Sequence, residues 1–144
     1  MSDGASLETR LRLLEDRAAI ADLYAAYPIS LDDKDRSLMA AVFDDASEFA
    51  CGIPGAPPRT GVEGNWKRLM QRHGERRFAE RHLTSAPVIT RLEGDRAEAV
   101  AECVIVVRED GAPPKIEAMG RYEDVLARRG GRWVFAERRF VPDL

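Results

Sequence analysis

Leu7, Leu11, Leu14, Ala18, Ala21 and Tyr24 recur at steps of three and four residues, which draws one apolar stripe down a long first helix. Ser6 stands where a helix start wants a hydroxyl acceptor. Tyr24, Tyr27, Pro28 and Leu31 continue the stripe, so the helix is expected to run through the proline and to bend there, where a hydrogen bond is lost. A second helix follows with Leu38, Val42 and Phe43 inward. "SEFACGI" predicts a short strand, "PGAPPRTG" a loop, and "VEGNWKRLMQRH" a third helix with Val62, Trp66, Leu69 and Met70 on one side. The pattern then changes. Residues 81–92, 96–108, 115–128 and 132–141 are rich in β-branched and aromatic residues, and "EGD", "REDGAPP" and "RRGGR" supply the turns between them. Helices first and antiparallel strands afterwards is an α+β layout in which a curved sheet wraps the long helix. Residues 1–144 are expected to form one domain, with no internal repeat.

Composition narrows the partners. Apolar residues make up 44% and charged residues 33% of the chain, as in a globular protein. A net charge of -3 argues against nucleic acid, since basic clusters such as "RHGERR" and "AERR" are interleaved with glutamate and read as solvated faces. The start "MSDGASLETR" lacks the features of a secretory signal, and the aliphatic run "VIVV" is far too short for a membrane span. Cys51 and Cys103 lie far apart without CxxC spacing, so neither a disulfide framework nor a metal site is expected, and a reducing cytoplasm suits them.

The stretch "YPISLDDKD" holds more acids than a helix start needs. Asp33 and Asp35 sit where the second helix begins, and either can accept a bond from an unpaired N–H there. Asp32 lies eight residues after Tyr24, at the edge of the apolar stripe, and is turned toward the sheet. On residue pattern alone it is either that inward acid or itself the cap, the cap being the commoner outcome. Of the two histidines, His73 sits among charges near a helix end and reads as a solvated cation. His82 opens the β region in "RHLTSAPVI". Paired with Asp32, it would have one ring nitrogen held and the other directed as a base, with the carboxylate stabilising the imidazolium that forms.

In order, "LEDRAAIADLYAAY", "LDDKD", "VFDD", "RHLTSAPVI" and "GRYEDVLARRGGRWVFAERR" resemble the SnoaL-like branch of the nuclear transport factor 2-like superfamily, over nearly the whole chain. The pattern is most similar to the group of scytalone dehydratase, hexachlorocyclohexane dehydrochlorinase and bile-acid dehydratase. The resemblance implies a cone-shaped cavity between the sheet and the first helix, an aspartate-histidine pair at Asp32 and His82, elimination without a cofactor, and Tyr27 near a substrate carbonyl. The chain departs from that group on the strand after His82. Where scytalone dehydratase has a further histidine and the bile-acid enzyme an aspartate, "AECVIVV" offers Glu102 and Cys103, which leaves the substrate class open.

Trp66, Val104, Val106 and Met119 are expected in the cavity wall, with Tyr122 approaching it, while Trp66 also reads, with Trp133, Phe135 and Phe140, as core or subunit contact. Asp124 is expected to make a structural hydrogen bond, and Arg138 to be a binding cation or a surface ion pair. The expected activity is that of a lyase or isomerase acting on a small, mostly apolar cyclic molecule. The alternatives are a non-catalytic binding or structural subunit of the same fold, and a polyketide cyclase. Exposed apolar strand positions imply a homodimer or homotrimer.

Overall fold

The computed structural model describes residues 4–75 and 78–143. Three helices and seven strands are present among these residues: α1 (Leu7–Asp32), α2 (Arg36–Val42), β1 (Glu48–Cys51), β2 (Arg59–Thr60), α3 (Gly61–Glu75), β3 (Phe78–Thr84), β4 (Val88–Glu93), β5 (Arg96–Glu109), β6 (Lys115–Arg129) and β7 (Arg132–Pro142). Arg76 and Arg77 of the basic cluster noted above lie outside the described residues.

Helix α1 starts as expected, with the Thr9 N–H donating to Ser6 Oγ at 3.1 Å, and continues past the buried Pro28 to Asp32. Its inner face from Ile20 onward, with Leu23, Tyr24 and Tyr27, is buried in the core. The first turns behave differently. Leu7, Leu11 and Leu14 carry the same stripe but are exposed. Farther along, Asp16 anchors α1 to the sheet by accepting two bonds from Arg128, at 2.7 and 3.1 Å, and one from Trp133 Nε1 at 3.0 Å.

The sheet order is β2-β1-β7-β6-β5-β3, with β4 also on β5, and the sheet curls around the helices as a half-barrel. Its ladders are antiparallel except β1 on β7, which is parallel, so the sheet is mixed. The segment read as one strand over residues 81–92 is two strands, β3 and β4. They pair with different halves of β5, and residues 85–87, ending in Pro87, which has no N–H to give a ladder, separate them.

Two irregularities decide what faces inward. Across β5 and β6 the register slips between Ile105 and Val106, which leaves Glu117 as the extra residue. Between β6 and β7 it slips at Val125 and Leu126, which leaves Ala136 extra and reverses the inward parity of β7: Trp133 and Phe135 are buried before the bulge, Arg138 and Phe140 after it. Gly120 is required by packing. A Cβ there would lie 2.1 Å from the Val141 carbonyl oxygen, so only glycine lets the end of β7 cross β6 so closely.

Candidate active site

The three aspartates divide as residue spacing cannot. Asp35 caps α2, its Oδ1 accepting from the Leu38 N–H at 3.0 Å, while Asp33 closes α1 and places its carboxylate 3.7 Å from Arg81. Asp32 is thereby left free of capping. It turns to β3, where Oδ2 accepts the His82 backbone N–H at 3.0 Å and Oδ1 meets His82 Nδ1 at 2.7 Å. Two contacts from one carboxylate fix both the strand and the ring. Both side chains are nearly buried.

His82 Nε2 faces a second acid, Glu80 Oε1, at 3.3 Å. Glu80 was not singled out by sequence, yet the signal was there, since residues two apart on a strand share a face. Its carboxylate is buried and held from α3 by Arg72 Nε at 3.2 Å, and Arg72 also pairs with Glu117 at the β6 bulge. A ring protonated on both nitrogens satisfies both carboxylates. With Nε2 bare, a lone pair points at Glu80 instead.

These groups open on a cavity of about 270 Å³. Its apolar side is Tyr27, Phe49, Ile105, Tyr122 and Phe140, and its polar side is His82, Glu80, Glu117, Arg59, Arg68 and Arg72. The face of α3 turned to it is Asn65, Arg68, Leu69 and Arg72, spaced i, i+3, i+4 and i+7. Burial pushes the Tyr27 phenol up to about 12, against the opposing pull of Arg138 and Arg59, so it stays a hydrogen-bond donor at neutral pH. Burial likewise raises the Cys103 thiol, which keeps it from being a ready nucleophile.

Of the residues expected here, Asp32 and His82 are brought together, and Tyr27 and Tyr122 line the cavity. Four others do not line it. Val104 and Met119 point out of the opposite face of the sheet, where Leu83, Val104 and Met119 form one cross-strand row. Val106 lies in the next such row, between Arg81 and Ile116. The inward parity of β5 is instead Ala101, Cys103, Ile105 and Val107. Trp66 is partly buried and packs against the core, with the Arg36 guanidinium 5.8 Å from its ring centroid. His73 is half-buried and stacked on Phe78 at 5.1 Å, and burial lowers its proton affinity, so it is not the solvated cation expected. Asp124 does make its structural bond, accepting from the Tyr24 hydroxyl at 2.5 Å. Arg138 is not at the surface: its side chain is fully buried. Among the described residues no three of His, Cys, Asp and Glu converge as metal ligands, and no helix is long and apolar enough to cross a membrane.

The SnoaL-like domain pattern matches residues 12–139. The chain belongs to the SnoaL-like family. Among solved structures, this SnoaL-like chain is similar to a hexachlorocyclohexane dehydrochlorinase, LinA-type3, from Novosphingobium barchaimii, with 21% identity, a TM-score of 0.78, and coverage of 93% of this chain and 94% of that one. A proposed scytalone dehydratase from Novosphingobium aromaticivorans gives 24% identity and a TM-score of 0.76, covering 94% and 89%. ActVI-ORFA from Streptomyces coelicolor gives 20% and 0.74, covering 88% and 96%. At these identities the likeness establishes the nuclear transport factor 2-like cone fold. No curated protein matches the chain.

Proposed function

We propose that the protein is a cofactor-independent lyase or isomerase that takes a proton from carbon in a small, mostly apolar cyclic molecule. The observation that carries this reading is the 2.7 Å contact between Asp32 and His82 at a cavity wall, which is the spacing a general base and its orienting acid need. His82 Nε2 takes the proton. The electron pair left on carbon either expels a leaving group on the neighbouring carbon, forming the double bond, or moves onto a carbonyl oxygen. Tyr27 donates a hydrogen bond where that negative charge develops, and Asp32 balances the imidazolium. For Nε2 to act, Glu80 must turn aside, and Arg72 is the partner that keeps it when it does.

The experiment is solvent exchange. Cyclic ketones and cyclic β-hydroxy ketones of one and two rings, incubated with the protein in D2O and followed by NMR, should gain deuterium next to the carbonyl, or lose water, faster than in buffer. His82→Gln should abolish the difference. A panel that exchanges no faster than in buffer, or equally fast with His82→Gln, favours the second reading: a binding subunit of the same fold, whose motivation is that Glu80 already occupies Nε2.

Self-association belongs to the same proposal. The row Leu83, Val104 and Met119 leaves Leu83 59% and Met119 50% exposed on the outer face of the sheet, with Ile116 and Val88 also exposed. A homodimer or homotrimer would cover that face. Light scattering should give a multiple of 16.1 kDa, and a particle of that single mass at micromolar concentration would overturn it.

A further inference from the structure

The cations around the cavity are not equally partnered. Arg72 is committed to Glu80 and Glu117. Arg59 and Arg68 line the same cavity, and among the described residues neither guanidinium makes an ion pair or a hydrogen bond. Arg59 is half-buried on β2, with its guanidinium 4.3 Å from the Phe49 ring centroid, and it leads directly into the helix that carries Arg68. Burial first, and Arg68 as a repelling neighbour, both lower the proton affinity of Arg59. Arg59 loses hydration in this position and is repelled by the more exposed Arg68, and an incoming anion relieves both costs. They sit in a chain whose net charge is -3, so the positive field is a feature of this wall and not of the whole protein.

We propose that the molecule this cavity takes carries a carboxylate, which Arg59 and Arg68 bind while its ring or rings lie among Tyr27, Phe49, Tyr122 and Phe140. The planar guanidinium fork matches a carboxylate in size and geometry. The volume of about 270 Å³ sits near the low end for ligand sites, so the body is small, and a nucleotide-sized carrier does not fit inside. This assignment rests on the reading of the cavity as the substrate site and adds the substrate class. It places the anionic head on α3 and β2 and the reacting carbon toward β3, where His82 stands.

The test needs no turnover. Binding of 2-naphthoate and of its neutral isostere 2-naphthamide is measured by calorimetry on the wild type, Arg59→Met, Arg68→Met and the double variant, with thermal melts to confirm folding. The acid should bind on the order of tenfold tighter than the amide. Added salt should weaken the acid alone, and each methionine should lower its affinity while leaving that of the amide in place. Arg68 is exposed, so Arg68→Met carries the test if Arg59→Met does not fold. An amide that binds as well as the acid, a preference for the acid that survives the folded variants, or no binding of either probe overturns the proposal. Asp32→Asn keeps both cations, so it should keep the preference for the acid. The carboxylate site and the proton-transfer chemistry therefore fail separately.

Discussion

Helix α1 contributes to two nearly buried acid sites, and they are built on opposite principles. At Asp32 both carboxylate oxygens are used, on one residue, at 2.7 and 3.0 Å, and the partner ring looks out on a cavity. At Asp124 the acid accepts from Tyr24, while its cationic neighbour Arg138 stays 3.7 Å away. Among the described residues the Arg138 guanidinium makes no hydrogen bond. It lies instead over the faces of Tyr122, Phe135 and Tyr27, at 3.6, 4.1 and 4.2 Å from their centroids. A charge held by ring faces in a sealed core binds those rings together, and Tyr27 and Tyr122 are cavity wall. In the proposed chemistry the first site passes a proton, and the second holds the wall against which the first one works.

The contrast is sharpest in Asp32→Asn, which keeps the side chain's shape and removes the charge that supports the imidazolium. Turnover should fall by at least about a hundredfold, with unfolding free energy changed by less than about 1 kcal/mol. Urea unfolding and exchange rates on the same preparation separate the two effects. A large stability loss with activity per folded molecule retained would make Asp32 a structural residue and erase the difference between the sites.

Arg138→Ala should show the reverse profile. It empties the centre of the aromatic cage and leaves Asp124 without its cation, a loss of about 3–5 kcal/mol in urea unfolding. Arg138→Met fills the cage without the charge and should lose less. If Arg138→Ala unfolds within about 1 kcal/mol of wild type, the sealed site contributes little to the wall.

How much of this was legible in the sequence follows the same division. The stripe on α1 places Tyr24, Tyr27 and Asp32 correctly, because a helix period links neighbours eight residues apart. The same stripe says nothing about whether Leu7, Leu11 and Leu14 are covered, and they are exposed. The pairing of Asp32 with His82 spans 50 residues, so the residues pose it only as a condition, and the resemblance is what points to it. Val104 and Val106, expected in the cavity wall, do not line it: "CVIVV" is apolar on both faces, so alternation carries no sign there. Arg138 was hidden by the bulge at Ala136: strict alternation from Phe135 would place Glu137 inside and Arg138 outside. Arg72, in "RHGERR", reads as solvated charge, and nothing singles out Arg59 or Arg68, since a single sequence does not show that a helix face meets a cavity.

The smallest expected effect concerns pH and isolates the sealed site. Burial pushes the Asp124 carboxyl up to about 6 from an ordinary 3.8, against the opposing pull of Arg138 and the Tyr24 hydroxyl. Between those values the folded protein therefore holds a proton that the unfolded chain has released. Stability from this group is complete below about pH 4, falls as pH rises toward 6, and is level above it. The slope is at most about 1.4 kcal/mol per pH unit, one proton's worth. Asp16 works against it, since its carboxyl is lowered by Arg128 and Trp133 although burial, the largest influence on it, raises it; its stability is lost as pH falls. The measurement is therefore a difference. Urea midpoints for wild type and Asp124→Asn, taken from pH 4 to 7, should diverge in slope between pH 4 and 6 and run parallel above. Asparagine cannot titrate, so its curve keeps the contribution of Asp16 and loses that of Asp124. Curves parallel across the whole range would mean that Asp124 is ionised throughout. Arg138 would then hold a full counter-charge at 3.7 Å, and the sealed site would be an ion pair like the one at Asp16.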